Sequence, residues 1–240
     1  MLIPYNEIVN KYNIRPEGVI HIGASTGQEV GYYYINGIKR SIWIEAIPAV
    51  FDELVKNIAN RSNAIAFNEC ISDEDGKEVE FHITNNEGQS SSFLELAKHK
   101  EHHPEIHVVE TIKCVTKTMR TLLKEEDIDI ADYELLNIDL QGAELLALKG
   151  MKELLSKVKY IYIEVNKEEL YKDCALVEQV DEFLAEYGFE RKETRWTNFN
   201  WGDAYYQNIK LIKEAKGAHN AIANNPSDAN FNALANIEQP

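Results

Sequence analysis

Three acidic residues sit where short apolar runs give out: Glu45 after "SIWI", Asp139 after "ELLNI", and Glu164 within "YIYIEVN". Ahead of them, "VIHIGASTG" leads an apolar run into a turn containing Gly23, Ala24 and Gly27. A glycine turn that opens a helix puts backbone N–H groups and the positive end of the helix dipole beside a ligand. The chemistry this suggests is a nucleotide-like cofactor approached closely by the backbone. Glu45 suits its ribose, because a carboxylate can accept from both hydroxyls, and charge-assisted bonds of this kind contribute about 1.5–3 kcal/mol. Asp139 precedes Gly142 and the start of a helical pattern. It offers a general base, an anchor for a cofactor amino group, or a helix N-cap. Glu164 is a second candidate for base or substrate anchor, and Asn166 follows on the same side by two-residue alternation. A solvated strand end is the alternative for both.

Strands and helices must hold these groups. "GVIHIGA", "SIWIEAI", "NAIAFNECISD", "YELLNIDLQ" and "KYIYIEVN" read as five buried strands. The helix after the first spans roughly Gly27 to Asn36 and stops at Gly37; the next starts at Pro48. The helix after the fourth strand carries a broad stripe from Leu145 to Val158, and the last one ends at Gly188. Alternation of this kind predicts an α/β doubly wound parallel sheet, with ligands at the carboxyl ends of the strands near the switch point.

An insert at about 77–125 interrupts the pattern. "KEVEFHIT" and "HVVETIKCV" alternate like strands with one wet face, flanking a polar loop with a short helix closed by Pro104. His99, His102, His103 and His107 lie there as a solvated turn; Pro104 breaks any helical register that would let them converge on a metal. No metal is expected.

At the end, "FERKETRW" and "DAYYQNIKLI" are joined by "TNFNWGD", too short for a crossover helix, so the two strands run antiparallel. Phe199 and Trp201 fall in that loop, at the ligand-facing end, where they could stack on a carbohydrate or pack over the sheet edge. A seventh strand turned back into the sheet marks S-adenosylmethionine-dependent methyltransferases of the Rossmann-like class. Dinucleotide oxidoreductases lack it, and the turn here also lacks their third close glycine.

Composition narrows the rest. With 240 residues and 44% hydrophobic content, the chain reads as an arm at 1–16, one domain at 17–213 and a peripheral tail at 214–240. A formal charge of −15 with no dense basic patch disfavours nucleic-acid partners. Cys70, Cys114 and Cys174 are too far apart for a CxxC pair and read as reduced thiols. Neither a membrane span nor a secretory leader is visible, which makes cytoplasmic residence the default expectation.

The sequence resembles the FkbM-type methyltransferases over about residues 17 to 212. The matching stretches are "VIHIGASTG", "WIEAIPAVFDELVKN", "CISDEDG", "SSSF", "LLNIDLQGAELLALKGM" and "YIYIEVN". The resemblance implies a class I methyltransferase fold, a seven-stranded mostly parallel sheet with an antiparallel last strand, and S-adenosylmethionine as cofactor. It implies that Gly23, Ala24 and Gly27 line the methionine and ribose portion, that Glu45 binds the ribose, and that Cys70, Ile71 and Ser72 flank adenine. It also turns Ser91 and Ser92 toward the active site; a helix cap before "FLELA" is their other reading. Two positions depart from the family. His21 stands where an acid is frequent, facing the cofactor amino group, and Gln141 replaces a usual glutamate. The acceptor is expected to be a hydroxyl of a sugar, glycan or small metabolite. An NAD(P)-dependent oxidoreductase and a non-catalytic cofactor-binding module are the competing readings.

Overall fold

The computed structural model describes residues 1–214; the tail expected at 214–240 lies, from 215 onward, outside the described residues. Five apolar runs form the parallel body of a seven-stranded sheet: β1 (Gly18–Ile22), β2 (Arg40–Ile44), β3 (Ala64–Phe67), β7 (Leu135–Ile138) and β8 (Tyr160–Asn166). The sheet is completed by β9 (Phe189–Trp196) and β10 (Trp201–Asn208), in the order β3-β2-β1-β7-β8-β10-β9. As expected, β10 runs antiparallel to both β8 and β9. The central strands are apolar throughout because helices cover both faces; Ile20, Ile22, Ile42, Leu136, Ile138 and Ile161 are all fully buried.

Register decides where the chemistry lies. Ile22 pairs with Ile44 and Ile138, and Ile138 pairs with Ile163. The residues that follow, Gly23, Glu45, Asp139 and Glu164, therefore form one row along the carboxyl edge. Asp203 joins the row by pairing with Glu164. The row crosses the point between β1 and β7 where strand order reverses, the position at which open α/β sheets hold ligands.

Several local expectations change. The third strand stops at Phe67; β4 (Cys70–Ile71) pairs instead with β6 (Val108–Lys117), which also pairs with β5 (Glu78–Thr84) in a second, three-stranded sheet. Asn68 marks the break, its side-chain amide donating to the carbonyls of Glu45 and Ala46 at 2.8 and 3.1 Å. The first helix, α2, covers only Val30–Ile35, because Ser25 and Gly27 have φ of 46° and 79° and keep the preceding residues in turns. The insert helix, α4, is limited to His99–His102. Trp201 belongs to β10 rather than to the hairpin loop.

The arm at 1–16 contains a helix the sequence reading passed over, α1 (Tyr5–Tyr12). Its Tyr5, Ile8 and Val9 are buried with Trp43, Tyr162 and Tyr205 in one core cluster. The remaining helices are α3 (Pro48–Ile58), α5 (Met119–Glu125), α6 (Glu144–Met151) and α7 (Val177–Glu186). No described helix is long and apolar enough to cross a membrane.

Candidate active site

A cavity of about 580 Å³ opens over the row of strand ends. Of the residues singled out in the sequence, His21, Gly23, Ala24, Glu45, Cys70, Ile71, Ser91, Asp139, Glu164 and Trp201 line it. Gly27, Ser72, Ser92, Asn166 and Phe199 do not. Each exception has a physical reason. A Cβ on Gly27 would meet Leu54 Cδ1 at 2.8 Å, so this glycine lets the turn pack on α3. The amide of Ser72 donates to the Lys117 carbonyl, and its own carbonyl abuts Gly150 on α6. Ser92 is occupied by a bridge to His82 and by its hydroxyl accepting from the Leu94 amide. Asn166 is buried away from the cavity, with its Oδ1 unpartnered. Phe199 stands outside on the hairpin loop, 41% exposed.

The glycine turn works differently from the cradle of N–H groups expected of it. The amides of Gly23 and Ala24 both donate to the Ile44 carbonyl at 2.9 Å, and the Ser25 amide donates to Glu45 Oε2 at 2.9 Å. Those donors are spent on β2. Gly23 is required for another reason: at φ 79°, a Cβ there would lie 1.7 Å from the Asp139 carbonyl oxygen. A pyrophosphate needs donors that this turn does not present, which removes the basis for a dinucleotide.

What the cavity does present is carboxylate. Glu29, Glu45, Glu69, Asp139, Glu164 and Asp203 line it, and no lysine or arginine does among the described residues. Glu45 accepts from the amides of Ser25 and Ile47, the latter at 2.8 Å, while burial pushes its carboxyl upward. His21 is buried between Tyr33 and Trp43, its Nδ1 without a hydrogen bond and 3.9 Å from Glu29 Oε2. Desolvation lowers its pKa, so it stays neutral. Glu29, from the turn before α2, thus brings a carboxylate into the cavity beside His21. Asp203 accepts from the Tyr162 hydroxyl and the Leu2 amide.

Gln141 organises the middle of the row. Its Nε2 donates to Asp139 Oδ1 at 2.7 Å and to Glu164 Oε2 at 3.0 Å, and its Oε1 accepts from the Tyr171 hydroxyl at 2.6 Å. Asp139 keeps solvent contact through the cavity but is closely surrounded by protein. That desolvation, reinforced by Asp203 and opposed by the Gln141 amide, raises its carboxyl to about 6. Glu164 is raised well above the carboxylate range by burial and then by Asp139, Glu144 and Asp203. The helix-cap reading of Asp139 does not hold: α6 begins after Ala143 with no side-chain cap, and Glu144 accepts from the amides of Leu140 and Gly142 in the turn before it. Carboxyl oxygens of Asp139, Glu144 and Glu164 come within 4.8 Å of one another. Two of the three already face the Gln141 amide and the third faces backbone N–H groups, which is a hydrogen-bonded arrangement.

The solvated histidine turn is also revised. His99 and His103 line the cavity, and His102 bonds Glu168. Helical spacing could not show this, because residues 97–99 are held by backbone bonds to Glu169 and Leu170, far along the chain.

S-adenosylmethionine fits this donor set. It carries positive charges on the sulfonium and the amino group against a single carboxylate, and no phosphate. Glu29, Asp139 and Asp203 would hold its cationic end, Glu45 its ribose, and Cys70, Ile71 and Phe81 its adenine.

The chain is 24% identical over 205 residues to the 2-O-methyltransferase NoeI of Sinorhizobium fredii, covering 82% of each chain. Solved structures it is similar to include the magnesium protoporphyrin IX methyltransferase of Synechocystis, at TM-score 0.46 and 10% identity over 83% of this chain and 74% of that one. Another is the 1,6-didemethyltoxoflavin-N1-methyltransferase of Burkholderia thailandensis, at TM-score 0.46 and 10% identity over 86% and 77%. The methyltransferase FkbM domain matches residues 21–191, so the chain belongs to the FkbM family of S-adenosylmethionine-dependent methyltransferases.

Proposed function

We propose that the protein methylates a hydroxyl oxygen of a sugar, glycan or small metabolite. The observation that carries this is the Asp139–Gln141–Glu164 bridge, two cavity-lining carboxyl groups joined through one side-chain amide at 2.7 and 3.0 Å. Bound S-adenosylmethionine supplies a methyl group on a sulfonium, activated for in-line displacement. With its carboxyl near 6, Asp139 is largely ionised at neutral pH. Gln141 occupies one of its oxygens, leaving Oδ2 to take the acceptor proton. A general base of this kind adds roughly 10²–10⁴-fold. Glu164, whose carboxyl burial and the neighbouring acids push upward, is the second group beside the acceptor and anchors it by a hydrogen bond. Holding the acceptor in line is worth about 7–11 kcal/mol.

The name of the NoeI relative, a 2-O-methyltransferase, supports oxygen as the accepting atom. Six cavity carboxyl groups without a lysine or arginine favour a neutral or cationic acceptor and disfavour nucleic acid. The test is a screen with S-adenosylmethionine labelled in its methyl group over neutral metabolites and glycans. Label recovered as a methyl ether, and a loss of about 10²-fold or more in Asp139→Asn, is the expected result. Label on nitrogen or carbon, or no transfer at all, would overturn it.

A further inference from the structure

His99 is 6% exposed and lines the cavity, yet its Nδ1 is buried with no hydrogen-bond partner. That nitrogen is shut off from the cavity, so Nε2, which makes no hydrogen bond of its own, is the ring atom left to meet a ligand, and an unpaired polar atom at a cavity wall points to a partner that arrives with the ligand. The position of His99 does not depend on its ring. The amides of Ala97 and His99 both donate to the Leu170 carbonyl, at 2.8 and 3.1 Å, which fixes the backbone independently.

The ring belongs to an aromatic wall. His99 packs on Tyr171 with centroids 5.6 Å apart and on His103 at 5.1 Å, and His103 packs on Phe199 at 4.5 Å. At its inner end, Tyr171 donates to Gln141 and so touches the Asp139–Glu164 bridge. At its outer end, Glu168 clamps α4 to the hairpin loop by accepting from Asn200 at 3.0 Å and bonding His102. Flat rings run without a break from the carboxyl groups to the mouth.

We propose that His99 is an acceptor-binding residue, holding a hydroxyl of a neutral, polyhydroxylated pyranose-like ring whose C–H face lies on the Tyr171–His103 wall. This inference rests on the methyl-transfer reading of the same cavity. Such a ring offers an apolar face for the aromatic surface and hydroxyls that both donate and accept. Burial keeps the His99 pKa down at about 4, so the imidazole is neutral and meets a hydroxyl as donor or acceptor, without charge. The carboxyl row alongside repels an acidic sugar.

The chain has seven histidines, few enough to resolve their ring signals by NMR in the full-length isotope-labelled protein. The protein is saturated with S-adenosylhomocysteine, then titrated with the methyl glycosides of glucose, galactose and mannose. At least one glycoside is expected to shift the His99 ring signals. His99→Ala should weaken that probe about tenfold, with S-adenosylhomocysteine affinity held within about twofold. His103→Ala, at a partly exposed site on the wall, should weaken it about threefold and serves if His99→Ala fails to fold. Three silent glycosides, or equal binding by wild type and both variants, would overturn the inference and leave cofactor binding standing. A wild-type protein that does not bind S-adenosylhomocysteine would instead overturn the reading beneath it.

Discussion

Nε2 of Gln141 lies 2.7 Å from Oδ1 of Asp139, so a neutral amide, in place of the family's usual acid, steadies the carboxylate nearest the switch point. A glutamate there would add negative charge to a row already crowded with it. An amide donates to two carboxyl groups at once and accepts from Tyr171 in return.

Removing that donor should move the pH profile in a defined direction. The amide favours the charged form of Asp139, which titrates at about 6 against the upward push of desolvation. In Gln141→Ala the acid limb of kcat/KM should shift upward by about one pH unit. An unshifted limb would mean that Asp139 is not the titrating group.

Gly23→Ala should unfold the site. The side chain would have to share space with the Asp139 carbonyl oxygen, 1.7 Å away, at a positive φ that alone costs about 1–2 kcal/mol. Thermal denaturation should show a large fall in Tm and loss of S-adenosylhomocysteine binding together. Gly31→Ala, with nothing within 4 Å of its Cβ, is the matched control and should leave Tm near wild type.

Glu45→Gln keeps an acceptor for one of the two amides that Glu45 now serves, but loses the charge facing the ribose. Calorimetry should show S-adenosylhomocysteine binding weakened by about tenfold to a hundredfold, the worth of charge-assisted bonds of about 1.5–3 kcal/mol. Adenine alone should bind both proteins equally.

Stability should fall as pH rises above about 6.5. Glu144 is raised to about 7 by burial and by Asp139, and Glu164 well above its ordinary value. A carboxyl with a raised folded pKa binds more protons folded than unfolded; its stabilisation is full at low pH and lost through the folded pKa. His99, lowered to about 4, acts oppositely, but only below the ordinary histidine value. The ligand-free protein should therefore melt higher at about pH 6.5 than at pH 8, and Glu164→Gln should flatten the slope.

Much of the frame was legible because it rests on local pattern. Apolar runs bounded by Gly37, Pro48 and Gly188 mark strands and helices, and a short final loop forces an antiparallel strand. Glu45, Asp139 and Glu164 were found because strand ends at a switch point are where side chains converge. The break after Phe67 was not legible, since Cys70 and Ile71 leave the run to pair with Thr116 and Lys117, a partner set by tertiary contact. The close packing of Gly23 on the Asp139 carbonyl was not legible, because that neighbour is invisible along the chain. Glu29, Tyr171, His99 and Asp203 were missed for the same reason. Their signal lies in register and long-range backbone bonds, of which only the pairing of Asp203 with Glu164 could have been read, by extending the hairpin residue by residue.

The central claim is that one ligand lies along the carboxyl row, its sugar at Glu45 and its sulfur beside the Asp139–Gln141–Glu164 bridge. A crystal structure of the full chain with S-adenosylhomocysteine tests it most directly. The expected density places the ribose hydroxyls on Glu45 and leaves the space between Asp139 and the Tyr171–His99 wall open for an acceptor. Density filling that wall, or lying away from Glu45, would contradict the assignment of both halves of the cavity.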